Sequence, residues 1–151
     1  MNQIRLTAGK GACATIVFLL GLPSTAGSCT CAPESDLSVQ IARYPTIFLG
    51  QAVDDVAEEP ARVEAVFRVL QVWKGERSST LHVQTHRQPA ACGVIFYAKE
   101  YYVVFAYPEK GMLATDKCTP TQEASKAGPV IRALDTQFHV KTAIPQAEER
   151  R

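Results

Sequence analysis

Chemistry is most concentrated in the tripeptide Cys29-Thr30-Cys31, where two thiols flank one small residue, with Cys92 and Cys118 as distant partners. Redox catalysis is disfavoured, because the spacing is not Cys-x-x-Cys and no thioredoxin-like βαβ pattern surrounds it. Direct pairing of Cys29 with Cys31 would strain a three-residue ring, since extended neighbours two apart do not aim their Cβ atoms at each other. Two long bridges remain, each tying the tripeptide to a distant part of the chain, and either long pairing satisfies that. Each bridge stabilises by at most about 4 kcal/mol in the chain-entropy model, and the two are not simply additive. His82 and His86 resemble a metal pair by spacing. On a strand, however, they stand about 13 Å apart along one face and cannot share an ion. No nucleophile–base motif, phosphate loop or metal-ligand spacing is present, so no catalytic residues, no enzyme activity and no cofactor are expected.

Which thiols matter depends on where the mature chain starts. Arg5 and Lys10 precede a short apolar run, Ala12 to Leu22, and then the small residues Ser24-Thr25-Ala26-Gly27-Ser28. The run is shorter than the roughly 20 residues that span a bilayer, so residues 1–28 read as a cleaved secretory signal rather than a stable membrane span. Cleavage after Ser28 leaves small residues at Ala26 and Ser28, removes Cys13, and makes Cys29 the amino terminus. Four cysteines then remain, an even set suited to an oxidising periplasmic or extracellular compartment. Lipoprotein processing at Cys29 fits less well: Ala26-Gly27-Ser28 is a poor lipobox, and a lipidated Cys29 would strand one thiol.

The mature chain of about 123 residues is expected to form one domain, 29–145, followed by a flexible polar tail, 146–151. Of the 16 basic residues two leave with the signal, so 14 face 15 acidic ones. That near-neutral balance gives no basic footprint for nucleic acid or for a charged membrane surface. A monomer is expected.

The elements that must position the cysteines can be read from patterning. Ser35 is placed to cap a short helix carrying Leu37, Ile41 and Tyr44 on one face before Pro45. Thr46–Val53 is rich in β-forming residues, with Gly50 where a strand bulges or bends. An acidic turn over 54–60 leads to a strand at Arg62–Lys74, with Phe67, Val69 and Trp73 on one face and Val66, Leu70 and Val72 on the other. Further strands are predicted at Thr80–His86, Glu100–Tyr107 and Met112–Ala114, the last two joined by the turn Glu109-Lys110-Gly111. Gly128-Pro129 opens a helix with Ile131, Leu134 and Phe138 facing the core, and His139 follows it at the surface. The aromatics Phe67, Trp73, Tyr101, Tyr102 and Phe105 read as core. The fold class is all-β with flanking helices: a five-stranded OB-like β-barrel with two disulfides to the amino terminus.

Several of these features together resemble a known family. They are a mature Cys-Thr-Cys start, the following short helix, Thr46-Ile47-Phe48-Leu49-Gly50, Val72-Trp73-Lys74-Gly75, Ala91-Cys92-Gly93, the Tyr101-to-Tyr107 strand and the late Cys118. The chain resembles the amino-terminal, netrin-like OB-fold domain of the tissue inhibitors of metalloproteinases, in a bacterial short form. The cysteine framework is the specific part of the resemblance. It implies the pairs Cys29–Cys92 and Cys31–Cys118, closing loops of 63 and 87 residues. It also implies a function, in which the free α-amine and carbonyl oxygen of Cys29 chelate the zinc of a target metalloendopeptidase at the position its water holds. Thr30 would then enter the pocket beside the scissile position, with Cys31, Ala90 and Ala91 completing the wedge. The alternative is a secreted, disulfide-stapled OB-type module that binds a protein or glycan without metal chemistry.

Overall fold

A computed structural model of the chain describes residues 28–32, 36–56 and 61–143. The signal segment up to residue 27, Ser35, the turn residues 57–60 and the tail 146–151 lie outside these. Chain order is α1 (Leu37–Arg43), β1 (Thr46–Val56), β2 (Arg62–Lys74), β3 (Thr80–His86), a 3₁₀ turn (Pro89–Ala91), β4 (Tyr101–Glu109), β5 (Met112–Ala114), β6 (Gln122–Glu123) and α2 (Gly128–Phe138). The strands run β1-β2-β3-β5-β4 and close through an antiparallel β1–β4 pairing, with β3–β5 the parallel contact. The result is a closed five-stranded mixed barrel, to which β6 adds a short sixth strand along β4.

Closure follows from strand alternation, because a barrel wall needs apolar residues on the inside and wherever a helix covers the outside. On β1, Ile47 and Leu49 face the two helices, packing with Ile41, Tyr44, Ile131 and Leu134, whereas Phe48 and Ala52 face the interior with Phe67 and Val83. On β4 the same alternation sends Val103 and Phe105 outward to the helices and Tyr102, Val104 and Ala106 inward. The interior is an aromatic cluster of edge-on contacts: Phe48–Phe67 at 5.5 Å, Phe67–Phe96 at 5.0 Å and Phe96–Tyr102 at 4.9 Å between ring centroids. Phe96 enters from the irregular segment after Cys92, so the loop that carries a bridge cysteine also plugs the barrel.

Gly50 marks a register shift between β1 and β2. A side chain there would press on Phe48 at 3.0 Å and on the Phe67 Cβ at 3.2 Å, which is why the strand bends at a glycine. Such shifts also alter the facing pattern of β2. Phe67 and Val69 share the interior with Val72, while Trp73 joins the helix-covered cluster and Leu70 is 38% exposed. The clean division into two faces expected for β2 therefore does not hold; bulges reassign the faces along the strand.

Other details differ from expectation, among them β4, which runs Tyr101–Glu109 and not Glu100–Tyr107. Helix α1 begins at an Asp36 cap, whose carboxylate accepts from the Ser38 amide at 3.0 Å, so the described cap is Asp36 and not Ser35. Strand β1 continues to Val56, and the two-residue β6 is too short to leave a period-2 pattern. Helix α2 follows the predicted stripe: Ile131 and Leu134 are buried, Phe138 is half-buried, and His139 is an exposed left-handed cap. The end of α1 is held by the Lys74 ammonium, which donates to the Ile41 and Ala42 carbonyls at 2.9 Å each. Among the described residues, no helix is long and apolar enough to cross a membrane.

Candidate functional site

Both long bridges form: Cys29 is joined to Cys92 and Cys31 to Cys118, with Cα–Cα separations of 5.0 and 5.2 Å. The tripeptide is thus clamped at its first and third residues onto two different loops. Thr30, between the clamps, is exposed, and its hydroxyl donates to the Ser28 carbonyl at 3.3 Å. Ala90 and Ala91 are exposed on the 3₁₀ turn that leads into Cys92.

The Cys92 loop is shaped by backbone packing. After β3 the chain doubles back through Pro89–Ala91, with the Cys92 amide donating to the Pro89 carbonyl and Cys92 itself left-handed at φ 66°. Gly93 then passes directly against the end of β3. A Cβ at Gly93 would stand 1.9 Å from the His86 carbonyl oxygen, so only glycine allows this approach. The Gly93 amide donates to the Gln88 carbonyl, and the Val94 amide to the Thr85 hydroxyl at 3.0 Å. These contacts tie the Cys92 loop to the end of β3.

The Cys118 loop is shaped by side chains. The Asp116 carboxylate accepts from the Cys118 amide at 2.7 Å and from the Tyr107 hydroxyl at 2.7 Å, an Asx turn braced against β4. Burial, aided by the hydrogen bond to Asp116 and its charge, holds the Tyr107 phenol well above the ordinary tyrosine range, so it remains a donor. Below the turn, the Thr115 hydroxyl donates to the Phe105 carbonyl at 2.9 Å, and the Thr119 and Thr121 hydroxyls lie 3.0 and 2.9 Å from that hydroxyl. The two loops are joined directly by the Lys117 amide, which donates to the Cys92 carbonyl at 2.9 Å. Asp116, Tyr107, Gly93 and the threonine triad carry no reactive-group signature in the sequence, because they act on backbone groups or on one another. The signal available for them is local: an aspartate two residues before a cysteine, and a glycine immediately after one.

His82 and His86 remain on strand β3 four residues apart, as the period-2 pattern predicts. His82 Nδ1 lies 2.5 Å from Glu64 Oε1 across the β2–β3 pair, and the His86 carbonyl packs on Gly93. Neither belongs to the clamped tripeptide. Of the aromatics read as core, Phe67, Trp73, Tyr102 and Phe105 are buried and Tyr101 is half-buried. Trp73 also carries a polar tie, its indole N–H donating to Asp135 on α2 at 2.8 Å.

No family model matches this sequence, and no curated protein sequence matches it either.

Proposed function

We propose that the exported, mature form of this chain is an inhibitor of zinc metalloendopeptidases, acting through an amino terminus that begins at Cys29. One observation carries the reading: an exposed single residue, Thr30, is held between two cysteines bridged to neighbouring loops of a closed barrel. A peptide fixed in that way loses little conformational freedom when it enters a cleft, which lowers the ordering cost of binding. Removal of the signal after Ser28 supplies the α-amine, and amine plus carbonyl of one residue form a bidentate donor for a catalytic zinc in place of its water. Thr30 is the side chain presented to the adjoining pocket. Cys31, with Ala90 and Ala91 before Cys92, flanks it with small groups that leave the approach open.

The experiment is to prepare the oxidised protein with its first residue verified as Cys29 by intact mass and titrate it against a panel of zinc endopeptidases. Stoichiometric inhibition is expected, with loss of at least two orders of magnitude in affinity when one alanine precedes Cys29 or the amine is acetylated. A protein with a free Cys29 terminus that inhibits none of the panel overturns the reading and leaves the protein- or glycan-binding module.

A further inference from the structure

The two bridges are not independent staples. The Sγ atoms of Cys29, Cys92 and Cys118 all lie within 4.8 Å of one another, although Cys118 belongs to one bridge and the other two to the second. Access to the bridges is unequal: Cys31 and Cys118 are exposed, whereas Cys29 and Cys92 are half-buried. The loops of Cys92 and Cys118 are already tied to each other by the Lys117 amide and the Cys92 carbonyl.

We propose that the Cys31–Cys118 bridge is a site of attack by external thiols, and that Cys118 then relays the bond to Cys92 and releases Cys29. In the first step the thiolate of a small thiol, or of a dithiol protein, attacks Cys31 Sγ. A mixed disulfide forms there, the Cys31–Cys118 bond breaks, and Cys118 leaves as a thiolate. That thiolate is within reach of the shielded bridge. It attacks Cys92 Sγ, a Cys92–Cys118 bond forms, the Cys29–Cys92 bond breaks, and Cys29 takes a proton from solvent. A second external thiol resolves the mixed disulfide at Cys31. Two external thiols are thereby oxidised to one disulfide, and the protein gains two thiols, both in the tripeptide. Attack on Cys92 is favoured over attack on Cys29 because its loop is the one hydrogen-bonded to the Cys118 loop, so the new bridge needs little backbone movement. One exposed bridge therefore controls both anchors of Cys29-Thr30-Cys31. The exchange stands without any inhibitory role; only its consequence, release of the wedge, rests on the function proposed above.

The test treats the oxidised protein with a few equivalents of glutathione, traps thiols with an alkylating reagent in acid-quenched samples, and maps bridges by tandem mass spectrometry. The expected two-thiol species carries label on Cys29 and Cys31 in a ratio near one, together with a Cys92–Cys118 linked peptide. Label on Cys31 and Cys118 with Cys29–Cys92 intact overturns the relay. So does a Cys29–Cys118 link, or passage to four labelled cysteines with no two-thiol species. The variant Cys31→Ser, which frees Cys118 permanently, should equilibrate to Cys92–Cys118 with Cys29 labelled; retention of Cys29–Cys92 there also counts against the relay. Where the oxidised protein inhibits a protease, inhibition should decline in step with Cys29 labelling. A relay seen in a protein that never inhibits leaves the exchange standing and removes the inhibitory reading.

Discussion

Gly93 is the residue on which the geometry of the first bridge depends. With the His86 carbonyl 1.9 Å from where a Cβ would sit, Gly93→Ala must push Cys92 away from β3. The obstruction is backbone and cannot rotate aside, so a loss of about 1–3 kcal/mol is expected. Urea unfolding should show it as a lower midpoint at unchanged slope, with slower formation of Cys29–Cys92 on oxidative refolding. Asp135 is a second residue with a definite consequence. Burial raises its pKa, but hydrogen bonds from the Thr142 amide, the Thr142 hydroxyl and the Trp73 indole outweigh that and hold it below the ordinary carboxylate range. A carboxylate depressed in the folded state stabilises fully above its unfolded value, about 3.9, and loses that contribution as pH falls through the lower folded value. Asp135→Asn should therefore cost on the order of 1 kcal/mol at neutral pH. The gap between variant and wild type should close as unfolding is repeated toward pH 3; a gap that stays constant removes the charge argument.

At the level of elements, the β4–β5 hairpin turns on Lys110 and Gly111, both at positive φ, 51° and 84°. That is the pairing a two-residue type I′ turn requires, and lysine is poorly suited to it. Lys110→Asn should raise stability by up to about 1 kcal/mol, seen as a higher urea midpoint without change of slope. The same hairpin explains what was legible beforehand. Turn chemistry at Glu109-Lys110-Gly111, the Gly128-Pro129 start of α2 with its three- and four-residue stripe, the long run apolar on both faces at β2 and the period-2 alternation at β3 are all local signals, and each yielded its element. What escaped depends on contacts between segments distant in sequence. Strand β6 exists because Gln122 and Glu123 meet Val103 and Tyr102, the facing of β2 is set by bulges against β1, and the Cys92 loop takes its path from the end of β3. The bridge pairing belongs to the same class: residues alone left two long pairings open, and the parallel β3–β5 contact is what brings the 3₁₀ turn and the Asp116 turn to one end.

For the whole molecule, the barrel's contribution to the proposed function is to hold one nitrogen still, and that makes protons its competitor. A zinc-bound α-amine must be unprotonated, so below the amine pKa each unit of pH leaves tenfold less of the binding form. The reference value is about 7.7–8.0, and the sign is fixed: affinity rises with pH and levels off once the amine is free. Between pH 8 and pH 6 the inhibition constant should therefore worsen by roughly one to two orders of magnitude. The protease titrates too, so the profile is to be divided by that of a small zinc chelator whose donor group does not ionise in this range. Acetylating the amine should abolish the profile together with the inhibition. A corrected profile that is flat, in a protein that still inhibits, would mean that the barrel acts by covering the cleft and that the Cys29 amine takes no part.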